Sequence, residues 1–336
     1  MVYIHVKRIG NKKYYSLRVS VRKGDKIITK DICNLGSDIS KITIDDLVKK
    51  YKNEIRRSYK TIKRFLDTSF YLEKVKKLKI KKDPYLTKEQ LINIEAILLH
   101  FSSKFLKIDK LTQEEIFEGF VINFAVNSNS IEGNTITLEE AYNLFKENIT
   151  PRNRTLQEVY DLINTKKVVE FIKNKKSEIN LDFIEKIHDT LLENIDQRKG
   201  FRSHDIRIFG QPFKPSPARY VKADMKLLLE WYNKNKKSLH PLVLVTLFHH
   251  KFENIHPFSD GNGRTGRVIV NYMLSLFGYP PFVISRRFRK EYLSSMNQSD
   301  SVLKKGLTEN DVKGYKRLVD FIYSQFKLSY WDNFLI

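Results

Sequence analysis

The chain has 336 residues, 41% of them hydrophobic and 12% aromatic, with one cysteine and a formal net charge of +22. That length suits one large domain or two smaller ones, each with a real core. The lone Cys33 excludes an internal disulfide or a cysteine-based metal site, no run reaches the roughly 20 apolar residues of a membrane span, and residues 1–16 hold no stretch of signal-peptide length, so a cytoplasmic protein with no membrane contact is expected.

The positive charge is uneven. Residues 1–82 hold 24 Lys+Arg against 8 Asp+Glu, a net of +16, and the other 254 residues hold 37 against 31, a net of +6. A basic block of this kind suits contact with a polyanion such as nucleic acid, because each neutralised phosphate releases a counterion. A merely soluble, lysine-rich surface is the bland alternative.

In chain order, "VYIHVKRI", "YYSLRVSV" and "KIITKDICNL" are β-branched and aromatic with partial alternation, which predicts three strands. Gly10-Asn11 and Lys23-Gly24-Asp25 supply the hairpin turns. A small antiparallel sheet over residues 1–38 follows; it is too small to stand alone and must pack on a neighbour. Residues 39–82 read as a basic helical linker, and the Lys-rich 73–84 as the domain boundary.

From Ile42 on, helix signals take over, and beyond residue 82 the chain is mostly helical. Thr43/Asp46, Thr87/Gln90, Thr112/Glu115, Thr137/Glu140 and Thr308/Asp311 have capping-box spacing. Apolar residues at helical spacing follow Thr87 and Thr308, and "LDFIEKIHDTLLENI" and "HPLVLVTLFHHKFENI" are two further helices. The segment 200–221, with three prolines and two glycines, breaks the pattern and reads as an irregular β-hairpin or flap. His188, His204, His240, His249 and His250 read as core or capping histidines; His249 and Glu253 have i,i+4 spacing, but no third metal ligand stands nearby.

The stretch "NIHPFSDGNGRTGR", Asn254 to Arg267, concentrates chemistry. Gly261, Gly263 and Gly266 satisfy G-x-G-x-x-G, but a helix precedes them where a dinucleotide site needs a strand, and no Asp or Glu lies between Gly261 and Lys290. Arg267 and Val268 stand where a Walker A loop needs Lys and Ser/Thr. What survives is a glycine turn at the start of a buried helix, where open N–H groups and the helix dipole favour an anion. Arg264 and Arg267 share one face of its first turn, a placement the dipole disfavours unless something multiply negative binds, such as a polyphosphate. Asp260 is placed to hold a divalent cation and His256 to accept a proton.

His256-Pro-Phe258-Ser-Asp260-Gly261-Asn262-Gly263-Arg264-Thr-Gly-Arg267 resembles the signature of the Fic family, H-x-F-x-[D/E]-G-N-G-R-x-x-R, at every specified position. The resemblance implies a mainly α fold, a helical core with a β-hairpin flap, over roughly residues 90–330. It implies transfer of AMP from ATP to a Ser, Thr or Tyr hydroxyl of a target protein or of the chain itself. His256 would be the general base and Asp260 the Mg²⁺ ligand. Asn262 and the backbone at Gly261 and Gly263 would hold the α- and β-phosphates, Arg264 the β-phosphate and Arg267 the γ-phosphate. The Doc-type branch, which moves a different phosphoryl group, departs from G-N-G-R; this chain keeps it.

A second stretch, "SNSIEGNTITLEE", places Glu132 at a helix C-terminus with Gly133 as its stop, where the dipole disfavours a carboxylate and a cation should compensate. Ser128-x-x-x-Glu132-Gly133 resembles the inhibitory motif [S/T]-x-x-x-E-[G/N] of Fic proteins with an inhibitory helix, expected here over about 112–133. In that family the glutamate pairs with the second signature arginine, here Arg267, and in some members it positions a water that removes AMP. The flap, which docks the target backbone in Fic proteins, is expected to use Ile206, Arg207, Ile208, Phe209 and Gly210. AMP transfer restrained by Glu132 is thus the expectation. DeAMPylation and nucleic-acid binding through residues 1–82 are the alternatives, and pairing into a homodimer, as in many relatives, is left open.

Overall fold

The computed structural model describes residues 1–207 and 214–335. The chain forms two compact units, one of Met1–Lys81 with Lys88–Ser103 and one of Lys82–Thr87 with Lys104–Phe334.

In the first unit, β1 (Val2–Ile9), β2 (Lys12–Lys23) and β3 (Lys26–Gly36) pair antiparallel in the order β1-β2-β3. Ile4 faces Leu17, and Leu17 faces Cys33. Alternation thus turns Val2, Ile4, Leu17 and Val19 to one face. That face closes on α1 (Ile44–Ile55) and α2 (Tyr59–Lys76) through Leu47, Ile62 and Leu66. The Thr43/Asp46 capping box starts α1, with both reciprocal bonds formed.

Two expected boundaries change here. Residues 39–82 are not a linker: Ile39, Ile44, Leu47, Ile55, Ile62 and Leu66 are core residues that complete the sheet's apolar face. Helix α3 (Lys88–Ser103) belongs to this unit too, since its Ile92, Ala96 and Leu99 pack with Phe70, Tyr71 and Val75 of α2. The break near residue 82 is therefore a crossing of the chain between units rather than their border.

The second unit is helical: α4 (Lys110–Ile131), α5 (Leu138–Lys146), α6 (Leu156–Lys173), α7 (Leu181–Leu191), α8 (Val221–Asn235), α9 (Pro241–Ile255), α10 (Asn262–Leu276), α11 (Arg289–Leu303) and α12 (Val312–Asn333). Helix α9 is its axis, with every residue from Leu242 to Phe252 buried. Even Lys251 is enclosed; its Nζ donates to the carbonyls of Leu307 and Glu309 at 2.7 and 2.5 Å, and burial pulls its pKa down to about 7. His240 caps the start of α9 by accepting from Leu242 N–H. No described helix is long and apolar enough to cross a membrane.

Two local expectations are corrected, and a third falls partly outside the described residues. Helix α4 starts at Lys110, because Asp109 accepts from Thr112 N–H and caps it three residues before the expected Thr112. Helix α12 starts at Val312, capped by Asp311 rather than Thr308. The 200–221 segment forms no strand among its described residues; Ala218–Tyr220 is a 3-10 turn and α8 begins at Val221, with Ala218 N–H donating to Asp205 Oδ1 at 2.7 Å. Of the expected docking residues, Ile206 and Arg207 are non-strand backbone, and Ile208, Phe209 and Gly210 lie outside the described residues.

Candidate active site

The site lies in the second unit where α9 hands over to α10. Helix α9 ends at His256 with φ +52° and ψ +63°, a left-handed conformation costly for a non-glycine residue. Surrounding bonds hold it there. His256 N–H closes on Phe252 O at 3.0 Å, and the ring Nδ1 lies 3.2 Å from Glu253 O. With Nδ1–H donating to that carbonyl, Nε2 is left to accept a proton. Burial pushes His256 down to about 4, helped by the positive charge of Arg202, so the ring is neutral at pH 7.

The loop that follows is clipped from within. Asn262 accepts from Phe258 N–H and donates to Phe258 O, both at 2.9 Å, and is 2% exposed. Its side chain is thus committed to the loop, and its backbone N–H is what it offers to an anion. Phe258 is fully buried and stacks on His188 at 3.7 Å, and the His188 ring bridges Asp189 Oδ1 at 2.9 Å and the Asp260 carbonyl at 3.1 Å.

Helix α10 then begins with no side-chain cap on its N-terminus, and Gly261 precedes it at φ +75°. Its first N–H groups open toward the cavity, the arrangement that binds phosphate at helix starts. Gly263 serves close approach: a Cβ there would fall on Glu132 Oε1 and crowd Arg267.

The two arginines have distinct partners. Arg264 is buried, with one guanidinium nitrogen bonded to Asp161 and another 3.3 Å from Asp260 Oδ2. Asp161 also accepts from Asn134 Nδ2, and burial raises its pKa against the pull of Arg264. Arg267, 4% exposed, donates from Nε to Ser128 Oγ at 3.0 Å and from one terminal nitrogen to Ser128 O at 2.9 Å and Glu132 Oε1 at 2.7 Å. The expected pair of Glu132 and Arg267, 135 positions apart, is thus in contact. Glu132 sits at the C-cap of α4 and Gly133 follows at φ +110°.

Beneath the loop lies a buried layer. Glu253 is pushed up to about 8 by burial, Arg267 opposing and Glu132 adding to the rise, so it holds a proton at neutral pH. Its Oε2 is 4.0 Å from His256 Nδ1. His249, driven down to about 3 by burial, meets the Tyr292 hydroxyl through Nε2 at 2.5 Å.

Glu132, His256, Asp260, Gly261, Asn262, Gly263 and Arg267 line one cavity of about 260 Å³, closed on its far side by Ile131, Arg289, Tyr292, Leu293 and Met296. Arg264 stands behind it, oriented by Asp161. Asp260 presents a half-exposed carboxylate with hard oxygen donors. Among the described residues no three His, Cys, Asp or Glu side chains form a metal cage. One carboxylate suits Mg²⁺, which keeps several waters and shares phosphate oxygens.

Sequence reasoning missed two anchors. Arg202 is 5% exposed; its Nε donates to His256 O at 2.8 Å, and its terminal nitrogens reach His204 O at 3.0 Å, Ile255 O at 3.3 Å and Ser216 O. It ties both ends of the 203–216 segment to the loop that carries His256. Asp161, mid-helix in α6, is the other. A buried charge needs a partner, but nothing in the spacing of either residue names it.

A helical scaffold with a neutral base beside an uncapped, arginine-flanked helix start has the parts that suit an anion such as a phosphate group. Residues 178–274 match the family model described as the Fic/DOC family, and the chain carries a Fic domain. It is similar to proteins named protein adenylyltransferase Fic from Nematostella vectensis, 28% identical over 52% of this chain and 42% of that protein. The one from Drosophila virilis is 29% identical over 57% and 39%. The chain thus spans about two fifths of the length of these curated relatives. The fold is similar to a Fic-domain-containing signaling protein from Bacteroides thetaiotaomicron, with TM-score 0.63, 26% identity and coverage of 70% of this chain and 95% of that one. A fragment of Fic-1 from C. elegans shares the fold at TM-score 0.59, with 18% identity and 87% of each chain covered.

Proposed function

We propose that this Fic domain transfers AMP from ATP to a Ser, Thr or Tyr hydroxyl of a target protein or of itself, and that Glu132 restrains the reaction. The relatives' name as protein adenylyltransferases supports the reaction type. The observation that carries the reading is the 2.7 Å contact of Glu132 with Arg267 over the uncapped start of α10.

The acceptor hydroxyl attacks the α-phosphorus while the bond to the β-phosphate oxygen breaks and pyrophosphate leaves. The hydroxyl proton goes to His256 Nε2, which is neutral and therefore able to take it. The N–H groups of Asn262 and Gly263 and the Arg264 guanidinium receive the negative charge that grows on the phosphates, and Arg267 orients the γ-phosphate. Asp260 would hold Mg²⁺, which neutralises phosphate charge when bound. While Glu132 occupies Arg267, the γ-phosphate lacks its partner and the α-phosphorus is turned from the acceptor.

The reverse reaction, removal of AMP by water, is a second reading, supported by the half-exposed Glu132 carboxylate lining the same cavity as His256. Nucleic-acid contact through residues 1–82 rests on their net +16 and on exposed Lys12, Lys13, Lys23 and Lys26 at the ends of β2 and β3.

Mass spectrometry of the protein after incubation with ATP and Mg²⁺ tests the proposal. Glu132→Gly is expected to gain covalent AMP, and His256→Ala in that background to gain none. Labelling of the His256→Ala protein, or a transferred group other than AMP, contradicts the reading.

A further inference from the structure

Beside the site lies a second cavity, of about 410 Å³, lined by Lys214, Asn254, Asn297, Asp300, Ser301, Leu303 and Lys304. Asn297 lines both cavities, and Asn254 is two residues before His256. In a peptide whose hydroxyl is presented to His256, the residues one or two positions away lie about 3–7 Å along the chain, a reach that suits a neighbouring cavity sharing Asn297 with the site.

The lining has a definite polarity. Lys214 and Lys304 are exposed and make no ion pair among the described residues. The one carboxylate, Asp300, is engaged through Oδ1, which is 2.9 Å from His250 Nε2 and 2.9 Å from Asn254 Nδ2, while its Oδ2 is buried with no hydrogen-bond partner among the described residues. His250 is buried and held neutral by that burial, and its Nδ1 lies 3.1 Å from the Tyr315 hydroxyl. The Tyr315 O–H therefore donates to Nδ1, and Nε2–H donates to Asp300. Two ammonium groups with no ion pair among the described residues and the Asn297 amide line the opening for an incoming group, while the Asn254 amide is spent on Asp300. Two ammonium groups against one carboxylate leave the lining net positive, which favours a carboxylate over a cation.

We infer that this cavity is a specificity pocket for an acidic side chain of the target protein, one or two residues from the acceptor hydroxyl. The inference rests on the AMP-transfer reading above and adds a substrate preference to it.

The test compares Glu132→Gly with Glu132→Gly/Lys214→Glu/Lys304→Glu on total cell protein with ATP and Mg²⁺, mapping AMP-modified sites by mass spectrometry. ATP affinity, measured in parallel, should be equal in the two and reports that the triple variant is folded. Asp and Glu should be enriched within two residues of the acceptors used by Glu132→Gly. Charge reversal should cut the use of those sites about tenfold and favour sites flanked by Lys or Arg. Modification of the same sites at the same rates by both proteins, or no acidic enrichment with Glu132→Gly, overturns the pocket while AMP transfer stands. No AMP-modified site with either protein overturns both.

Discussion

The loop from Ile255 to Asn262 and the end of α4 from Ser128 to Asn134 border one cavity but are held in opposite ways. The loop is fixed through its backbone: Arg202 takes the Ile255 and His256 carbonyls, Asn262 takes both polar groups of Phe258, and His188 takes the Asp260 carbonyl. The backbone of α4 is anchored too, with Arg289 Nε donating to Ile131 O at 2.6 Å. The Glu132 side chain, however, is 43% exposed and held, among the described residues, by a single hydrogen bond to Arg267. In the proposed reaction, the parts that keep catalytic geometry are over-determined and the part that lets go is not.

The sharpest way to break this contrast is to unclip the loop. Asn262→Ala leaves the buried N–H and C=O of Phe258 without partners, at a cost of about 2–4 kcal/mol in stability. In the Glu132→Gly background it should also lower transfer about 100-fold, through misplacement of His256. Denaturant titration and labelled-ATP kinetics read the two effects; wild-type values would show that the clip is dispensable.

Arg202→Lys is a milder cut. Lysine keeps the charge but cannot reach four carbonyls with a planar fork, so kcat should fall about tenfold while ATP affinity holds. A change in ATP affinity alone would place Arg202 in the wrong role.

The smallest effect is expected from pH. His256 has its folded pKa lowered to about 4 from an ordinary 6.5, so the neutral base is present above pH 4 and is lost only as pH falls through that value. Between pH 5.5 and 8 the contribution of His256 to the Glu132→Gly rate should vary less than about twofold. A limb near pH 6.5 that disappears when His256 is replaced would mean that the ring is not buried as described.

Much of the site was legible because it is contiguous. His256 to Arg267 lies within one turn and one helix start, so spacing alone brings base, carboxylate, glycines and arginines together. The Glu132–Arg267 contact was legible through the resemblance of Ser128-x-x-x-Glu132-Gly133 to the Fic inhibitory motif; the helix dipoles alone say that each charge wants an opposite partner, not which one. Asp161 and Arg202 were illegible: each sits in an unremarkable local pattern, and only the packing of α6 against α10 and the bonds of Arg202 to the loop give them roles. The same limit produced the fold errors. Residues 39–82 looked like a linker because their charge hid the apolar stripe Leu47, Ile62, Leu66 that completes the sheet. Asp109 and Asp311 displaced the expected threonine caps because an aspartate nearer the helix start takes the same N–H groups.

The most direct test of the central claim, that Glu132 and the γ-phosphate compete for Arg267, is a double-mutant cycle. Self-modification with labelled ATP is measured for the wild-type chain, Glu132→Gly, Arg267→Ala and the double variant, at one ATP concentration. Loss of one charge-assisted bond predicts a rise of about 10- to 100-fold for Glu132→Gly. The rate of the double variant should return to the wild-type level or below, because the freed partner is gone. A double variant as fast as Glu132→Gly would show that Glu132 acts by some route other than Arg267.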